Sequence, residues 1–276
     1  MNGTQAAGGV MNTTSLETGS VSVRSTVMPA GRLLHSYLIE AKYECVRMLR
    51  APAFAIPFLG LPVALYLMFA VLLFGDAMRS DPKAGLFTFT GFDVLGVMGP
   101  GLFGFGITLA MEREQGLLTL KRALPMPAGA SLLAKLLMAM LFGAIVTVTM
   151  VAAALSLGHL LMTAGQCLGL AAINILGAAP FCALGMLLGT RTSGKVAPAI
   201  ANLLYLAMIY LSGILLPLPK SMEAIALVSP AYHLDQLLFR VLGAPSQGTA
   251  WVHIAVLAGM TLVLTAVSVR RLARVG

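Results

Sequence analysis

Long stretches without a charged residue recur along the chain. The first lies between Arg50 and Asp76 and is 25 residues long. The hydrocarbon core of a membrane is about 30 Å thick, and roughly 20 apolar residues in a helix cross it. A charged side chain at the centre of the bilayer costs roughly 2.5–3.5 kcal/mol on insertion scales, so charged residues mark where the chain leaves the lipid. The pattern therefore predicts a protein that crosses a membrane several times.

The uncharged stretches divide into six predicted spans. Residues 136–190 are 55 positions without Asp, Glu, Lys or Arg, which is too long for one span and suits two spans joined by a tight turn within 156–166. Pro57 and Pro62 are expected to kink the first span or to delay its start. The predicted spans cover about 53–75, 93–111, 133–155, 167–189, 196–216 and 250–269.

Two segments precede the first predicted span. Residues 32–50 have apolar residues on one helical stripe and polar residues largely opposite, which favours a helix at the membrane–water boundary. An ordinary soluble amphipathic helix is the alternative. Residues 1–30 are rich in Ser, Thr and Gly and lack the apolar core of a signal peptide, so they are predicted to be a flexible cytoplasmic tail.

Composition excludes several function classes. The chain has 276 residues, of which 58% are apolar and 10% charged, and its mean hydropathy is +0.91. A soluble domain has about 25% charged residues. The net charge of +8 does not indicate nucleic-acid binding, because no basic face with interleaved aromatic residues is present. Cys45, Cys167 and Cys182 are far apart and lack metal-ligand spacing, which favours simple packing roles.

The distribution of basic residues predicts the orientation. Fourteen of the 18 Lys and Arg residues fall in the segment before the first span, in the loop at 112–135, in the turn at 191–195, or after the sixth span. Basic residues concentrate on the cytoplasmic side of membrane proteins. Both termini are therefore expected in the cytoplasm of a cell whose inner or plasma membrane holds the protein.

The loop after the second predicted span has the most distinctive charge pattern. It reads MEREQG from position 111, so that Glu112 and Glu114 bracket Arg113 at the mouth of a helix. Gly116 permits a turn. The leucine-rich stretch that follows, with Lys121 and Arg122 off its apolar face, predicts a short amphipathic rod ended by prolines at 125 and 127. Such a rod is placed to transmit force from a partner; the alternative is a solvated loop that only fixes topology.

Polar residues inside the spans are candidates for a substrate path. A role in hydrogen bonding between helices is the alternative for each of them. No Asp, Glu, Lys or Arg is expected in the middle of a span, since Asp93 falls at a span end, and this favours an energy source outside the bilayer. The candidate path residues are Asn174, Asn202, Tyr205 and Tyr210.

Two glycine-rich patterns resemble nucleotide-binding motifs without their context. GPGLFG from Gly99 has dinucleotide-fingerprint spacing but lies in an apolar span, where glycines favour close helix packing. The same holds for Gly185 and Gly189. GTRTSGKV from Gly189 nearly fits a phosphate loop, but Val196 stands where Ser or Thr must reach magnesium. The chain is therefore not expected to hydrolyse ATP, and no catalytic residue, metal site or bound cofactor is predicted.

The chain resembles a known family in two places. EREQG at 112–116, followed by leucines and Pro125, resembles the loop between spans 2 and 3 in permease subunits of ABC-2-type transporters. SGILLP at 212–217, followed by SPAY at 229–232, resembles the exit of span 5 and the outer segment of that family. Leu117 departs from the Thr often found after the glycine. The resemblance covers about residues 32–275.

This resemblance implies an all-α integral membrane permease with six spans. Residues 32–50 are then a connecting helix along the membrane, and 217–249 hold short outer helices broken at Pro230. Residues 112–125 form or support a coupling helix that docks on a separate ATPase subunit, which binds ATP and magnesium. The implied coupling residues are Glu112, Arg113, Glu114, Gly116, Lys121 and Arg122.

The sequence therefore favours the permease of an ABC exporter for a lipid-like or drug-like substrate. It is expected to pair with a second permease copy or a homologous permease, with the substrate passing between the halves. A membrane enzyme or a scaffold without transport activity is the alternative.

The charge distribution leads to a topological prediction. A reporter fused after Gly276 is expected to report the cytoplasm, because the basic segments flank that side of the spans. Paired fusions to a phosphatase and a fluorescent protein measure this directly. A periplasmic signal would contradict the predicted number of spans.

Overall fold

The computed structural model describes residues 30–75, 81–123, 129–158, 160–213 and 223–275. Every regular element in these ranges is a helix. The predicted tail apart from Ala30, and the prolines at 125 and 127, lie outside the described residues. The helices are α1 (Ala30–Leu49), α2 (Pro52–Leu73), α3 (Lys83–Glu114), α4 (Leu117–Ala123), α5 (Ala130–Leu157), α6 (Ala164–Arg191), α7 (Ala197–Leu211), α8 (Glu223–Ala226), α9 (Pro230–Val241) and α10 (Ala250–Val275).

Five of these helices are long and apolar enough to cross a membrane: α2, α3, α5, α6 and α10. The fifth predicted span differs, because α7 ends at Leu211 and Gly213 then adopts a positive φ of 74°. Its 15 residues extend about 22 Å at 1.5 Å per residue. The positions after 213 in the predicted span lie outside the described residues.

The second predicted span also differs. Helix α3 begins at Lys83, well before the predicted start at 93, because Asp81 caps the first turn by accepting a hydrogen bond from the Lys83 amide at 2.9 Å. Asp93 therefore lies inside the helix. Helix α2 starts at Pro52 and passes through Pro57 and Pro62 with π-helical turns at Ile56–Gly60 and Met68–Leu73, so the prolines do not delay it.

Helix α3 is the central helix of the bundle. Of its most apolar stretch 78% is buried, against 17% for α2 and for α10. It contacts α2, α5, α6, α7 and α9. The outer helices expose large apolar side chains that a water-soluble protein would bury. Examples are Leu72 on α2, Leu203 on α7 and Leu262 on α10.

The bundle has two chemically different ends. At the α1 end, the C-terminal turns of α3, α6 and α10 meet, and the Arg271 guanidinium donates to the Thr190 carbonyl at 3.2 Å. At the α9 end, the first turns of α3 and α10 pack against α9, where Phe87 stacks on Phe239 with ring centroids 6.3 Å apart. The described chain enters and leaves the bundle at the α1 end.

Glycines allow α3 and α6 to touch backbone to backbone. A Cβ atom on Gly185 would lie closer to the Gly101 carbonyl oxygen than van der Waals contact allows, and 3.1 Å from the Gly106 nitrogen. A Cβ on Gly189 would lie 2.7 Å from the Gly106 oxygen. The expected close packing of these glycines is confirmed, and a Cβ on Gly101 would likewise lie 2.9 Å from the Phe181 Cβ.

We expect Gly185→Ala to lower the stability of the bundle by about 1–3 kcal/mol, because the added methyl group meets backbone that cannot rotate away. Thermal unfolding in detergent measures the change. Gly259→Ala on α10 is the matched control, since its Cβ would meet nothing within 4 Å. Equal midpoints for the two variants would refute the close contact.

Candidate coupling site

A lysine without exposed surface joins three helices at the α1 end. Lys135 lies one turn inside α5, and its ammonium donates to Glu112 Oε1 of α3 at 2.8 Å and to Glu44 Oε1 of α1 at 2.9 Å. Both carboxylates are also buried. A buried charge is tolerated when it is paired and hydrogen-bonded, so each of the three side chains requires the others.

Further charges surround this buried triad. The Arg47 guanidinium lies 2.6 Å from Glu44 Oε1 and 3.7 Å from Glu112 Oε1. Lys121 of α4 lies 3.2 Å from Glu40 Oε1 and 3.8 Å from Glu112 Oε2, and it donates to the Ser131 hydroxyl at 2.9 Å. We call these six ionised residues the charge cluster: Glu40, Glu44, Arg47, Glu112, Lys121 and Lys135. It balances three acids with three bases and ties α1, α3, α4 and α5 together.

The electrostatics of Glu44 reflect this balance. Burial by itself raises the pKa of its carboxyl, but the charges and hydrogen bonds of Lys135 and Arg47 outweigh burial and leave the pKa below the ordinary glutamate value of 4.5. Because the pKa of Glu44 is lower in the folded state than in the unfolded state, its ionised carboxylate stabilises the folded state at pH values above the ordinary glutamate pKa. That stabilisation is lost as the pH falls through the lowered pKa.

A second contact joins the end of α3 to the turn between α6 and α7. The Arg113 guanidinium donates to the Thr192 carbonyl at 2.6 Å and also to the Thr190 carbonyl. Glu114 Oε2 accepts a hydrogen bond from the Gly194 amide at 2.7 Å. The turn that resembled a phosphate loop is therefore filled by a carboxylate, which leaves no room for an anion there.

The predicted coupling residues separate into different roles. Glu112 is buried in the charge cluster, and Arg113 and Glu114 bind the α6–α7 turn. Gly116 has a φ of +71° in the turn between α3 and α4, as the sequence predicted. Lys121 lies in the cluster, and the side chain of Arg122 lies outside the described residues.

The sequence interpretation missed four members of the charge cluster. Lys135 falls inside the predicted third span. Because a charge inside a span requires a partner, this lysine was the sequence signal that could have indicated a buried charge cluster. No sequence pattern within α1 identifies Glu44 as the partner of Lys135. The members that sequence reasoning missed are Glu40, Glu44, Arg47 and Lys135.

A buried polar group also lies deeper in the bundle. Asp93 of α3 accepts hydrogen bonds from the Thr147 hydroxyl at 3.1 Å and from the Asn174 amide at 2.6 Å. These side chains are at most 1% exposed. The expectation that no ionisable residue lies inside a span is wrong, because the helix start was placed at Asp93 itself. Helices α5 and α6 thus supply the hydrogen bonds that water supplies to an exposed carboxylate.

The candidate path residues fall in two environments. Asn174 hydrogen-bonds Asp93, and the Tyr205 hydroxyl donates to the Leu95 carbonyl at 2.9 Å, so both serve contacts between helices. Asn202 and Tyr210 are exposed on α7, two turns apart on one face.

Comparison with known proteins identifies the family. The family model described as ABC-2 type transporter matches residues 35–241, which include the charge cluster and the α6–α7 turn. The chain belongs to the ABC-2 type transporter family. A similar protein from Bacillus subtilis (strain 168) is named "Putative transport permease YvfS"; it is 29% identical over 206 residues, which cover 69% of this chain and 78% of the relative.

Family and fold together establish the general class. This ABC-2 permease is an all-α, multi-pass membrane protein of the transport class. The family supports transport over the alternatives of a membrane enzyme or a scaffold. The resemblance of the EREQG loop to the family is confirmed by a match that spans it.

We expect Lys135→Met to destabilise the permease by about 3–5 kcal/mol, because Glu44 and Glu112 would keep buried charges facing each other. The double variant Glu112→Gln with Lys135→Met leaves Glu44 paired with Arg47, so it should recover much of the loss. Thermal unfolding in detergent compares the variants. A double variant no more stable than the single one would contradict the pairing.

Proposed function

We propose that this ABC-2 permease is the membrane half of an exporter driven by a separate ABC ATPase, with the α1 end in the cytoplasm. The observation that carries the proposal is the charge cluster, which joins the amphipathic helix α1 to the elbow between α3 and α4. ATP and magnesium bind to the partner ATPase in this scheme. The basic residues concentrated around the α1 end support the orientation.

Helix α4 supplies the docking face of this scheme. Leu117 and Leu120 are exposed on it, at 37% and 62% of their surface. Lys121, on the same helix, reaches back to Glu40 and Glu112. A displacement of α4 by the ATPase is therefore passed to α1, α3 and α5 as a unit, because moving one helix alone would separate buried charges.

Motion of this unit also reaches the rest of the bundle. Arg113 and Glu114 hold the turn that begins α7, and α3 packs against α6 through glycines without intervening side chains. Rigid contacts of this kind move helices together rather than bending them. ATP-driven closure of the ATPases would thus rearrange the two permease halves relative to each other.

The substrate path lies between two copies, or between this chain and a homologous permease, in this proposal. Asn202, Leu206 and Tyr210 form one exposed stripe along α7. A polar group and a phenol set among apolar side chains suit an amphipathic, lipid-like or drug-like cargo. Asn174 and Tyr205, which hydrogen-bond within the chain, are assigned to the framework and not to the path.

A photo-cross-linking experiment tests the docking face. A benzophenone maleimide is attached to Leu120→Cys in a background with Cys45, Cys167 and Cys182 replaced by alanine. We expect irradiation of membranes to yield an adduct with an ABC ATPase, because Leu120 is exposed on α4. Mass spectrometry identifies the adduct.

Thr249→Cys, exposed at the α9 end, is the matched control and should give no ATPase adduct. An ATPase that copurifies but cross-links equally at both positions, or only at position 249, would contradict the assigned orientation and coupling face.

A further inference from the structure

Two buried histidines face each other at the α9 end. His233 lies on α9 and is 1% exposed, and His253 lies in the first turns of α10 and is 3% exposed. Their ring centroids are 5.1 Å apart, and the Nδ1 atoms lie 2.8 Å from each other. This contact joins the side chains of α9 and α10 directly.

The outer nitrogen of each ring has a fixed role. His233 Nε2 lies 2.9 Å from the Leu227 carbonyl oxygen, and His253 Nε2 lies 2.7 Å from the Gln247 carbonyl oxygen. A carbonyl oxygen only accepts hydrogen bonds, so each Nε2 must carry a proton and donate it. A neutral imidazole has one N–H, and this bond uses it.

The inner contact then requires one more proton. If both rings were neutral, two lone pairs would meet at 2.8 Å. If both Nδ1 atoms were protonated, two N–H groups and two positive charges would meet. A hydrogen bond at this distance requires one proton between the two nitrogens. We propose that His233 and His253 form a proton-binding site that holds one shared proton and one positive charge. The hydrogen bond made by this proton links α9 to α10.

The surroundings disfavour positive charge on the pair and leave the pKa of His233 below its ordinary value, so the shared proton is inferred from the geometry of the contact. Burial lowers the pKa of His233, the hydrogen bond to Leu227 raises it, and the charge of His253 lowers it further. The Tyr232 ring lies beside both imidazoles, with centroids 5.4 Å and 6.2 Å away. On the elements packed around the pair, the described titratable groups nearest this end are Asp235 and Arg240 on α9, Lys83 and Asp93 on α3, Cys167 on α6, and Tyr205 and Tyr210 on α7.

The sign of the pH dependence follows from the proton count. Raising the pH removes the shared proton, and lowering it adds a second one to the pair; either change breaks the contact. Two coupled histidines release their protons in two separate steps. The shared proton therefore links α9 to α10 only at pH values between those two steps. The stability of the permease should therefore pass through a maximum within the histidine range, between about pH 5 and pH 8.

Nuclear magnetic resonance of the detergent-solubilised permease, labelled with ¹⁵N-histidine, tests the site directly. The chain has 4 histidines, so the spectrum is simple. We expect one exchange-protected ring proton coupled to nitrogens of two different rings, and its absence from His233→Gln and His253→Gln. Rings that are both neutral near pH 7, or histidine ¹⁵N shifts that change on adding EDTA because the pair holds a metal ion, would overturn the proposal.

Thermal unfolding measured as a function of pH tests whether the shared proton links α9 to α10. In the native chain we expect the unfolding temperature, plotted against pH, to pass through a maximum roughly 3–10 °C high. In His253→Gln the glutamine amide supplies an N–H that does not titrate, so this maximum should be absent. His35→Gln, which removes an exposed histidine on α1, should keep it. A native profile without a maximum, or a maximum retained in His253→Gln, would refute the role of the shared proton.

Discussion

The ammonium group of Lys135 joins helices that are distant in the chain, since its two carboxylate partners are 91 and 23 residues away. Because the group is fully buried, its cost in the membrane protein is offset only while both partners stay in place. Helix α1 is thereby held on α5, and α3 is held on both. Through these contacts the amphipathic helix α1 becomes part of one body with the elbow that follows α3.

The central position of α3 makes this body relevant to the whole permease. At one end α3 carries Glu112, Arg113 and Glu114, and in its interior Asp93 bonds to α5 and α6. Between these layers, glycine contacts bring the backbones of α3 and α6 together. Polar layers fix the angular positions of the helices and glycines fix their distance, so in the proposed mechanism movement at the elbow would be transmitted along α3. At the other end α9 is bound to α10 through paired histidines.

The sequence predicted the helices well because long apolar stretches have few alternatives in a membrane. It failed where a charge was used as a boundary. The sequence pattern predicts a span end at Asp93, yet Asp81 caps the helix and Asp93 lies within it, hydrogen-bonded by Thr147 and Asn174. Glu112, which the sequence places near the expected ATPase contact, is buried against Arg47, Lys121 and Lys135. The burial of both carboxylates depends on donors from other helices, which spacing along one segment does not reveal.

By itself, the sequence determined the helical class, the family, the glycine-rich packing faces and the turn at Gly116, since each depends on hydrophobicity or on backbone freedom over a few residues. Only the tertiary structure decided which charges are paired. Lys135 meets Glu44, and His233 meets His253, across separations that no local pattern encodes. The physical reason is that a buried polar group is stable only beside its complement, and the packing of whole helices sets which groups become neighbours.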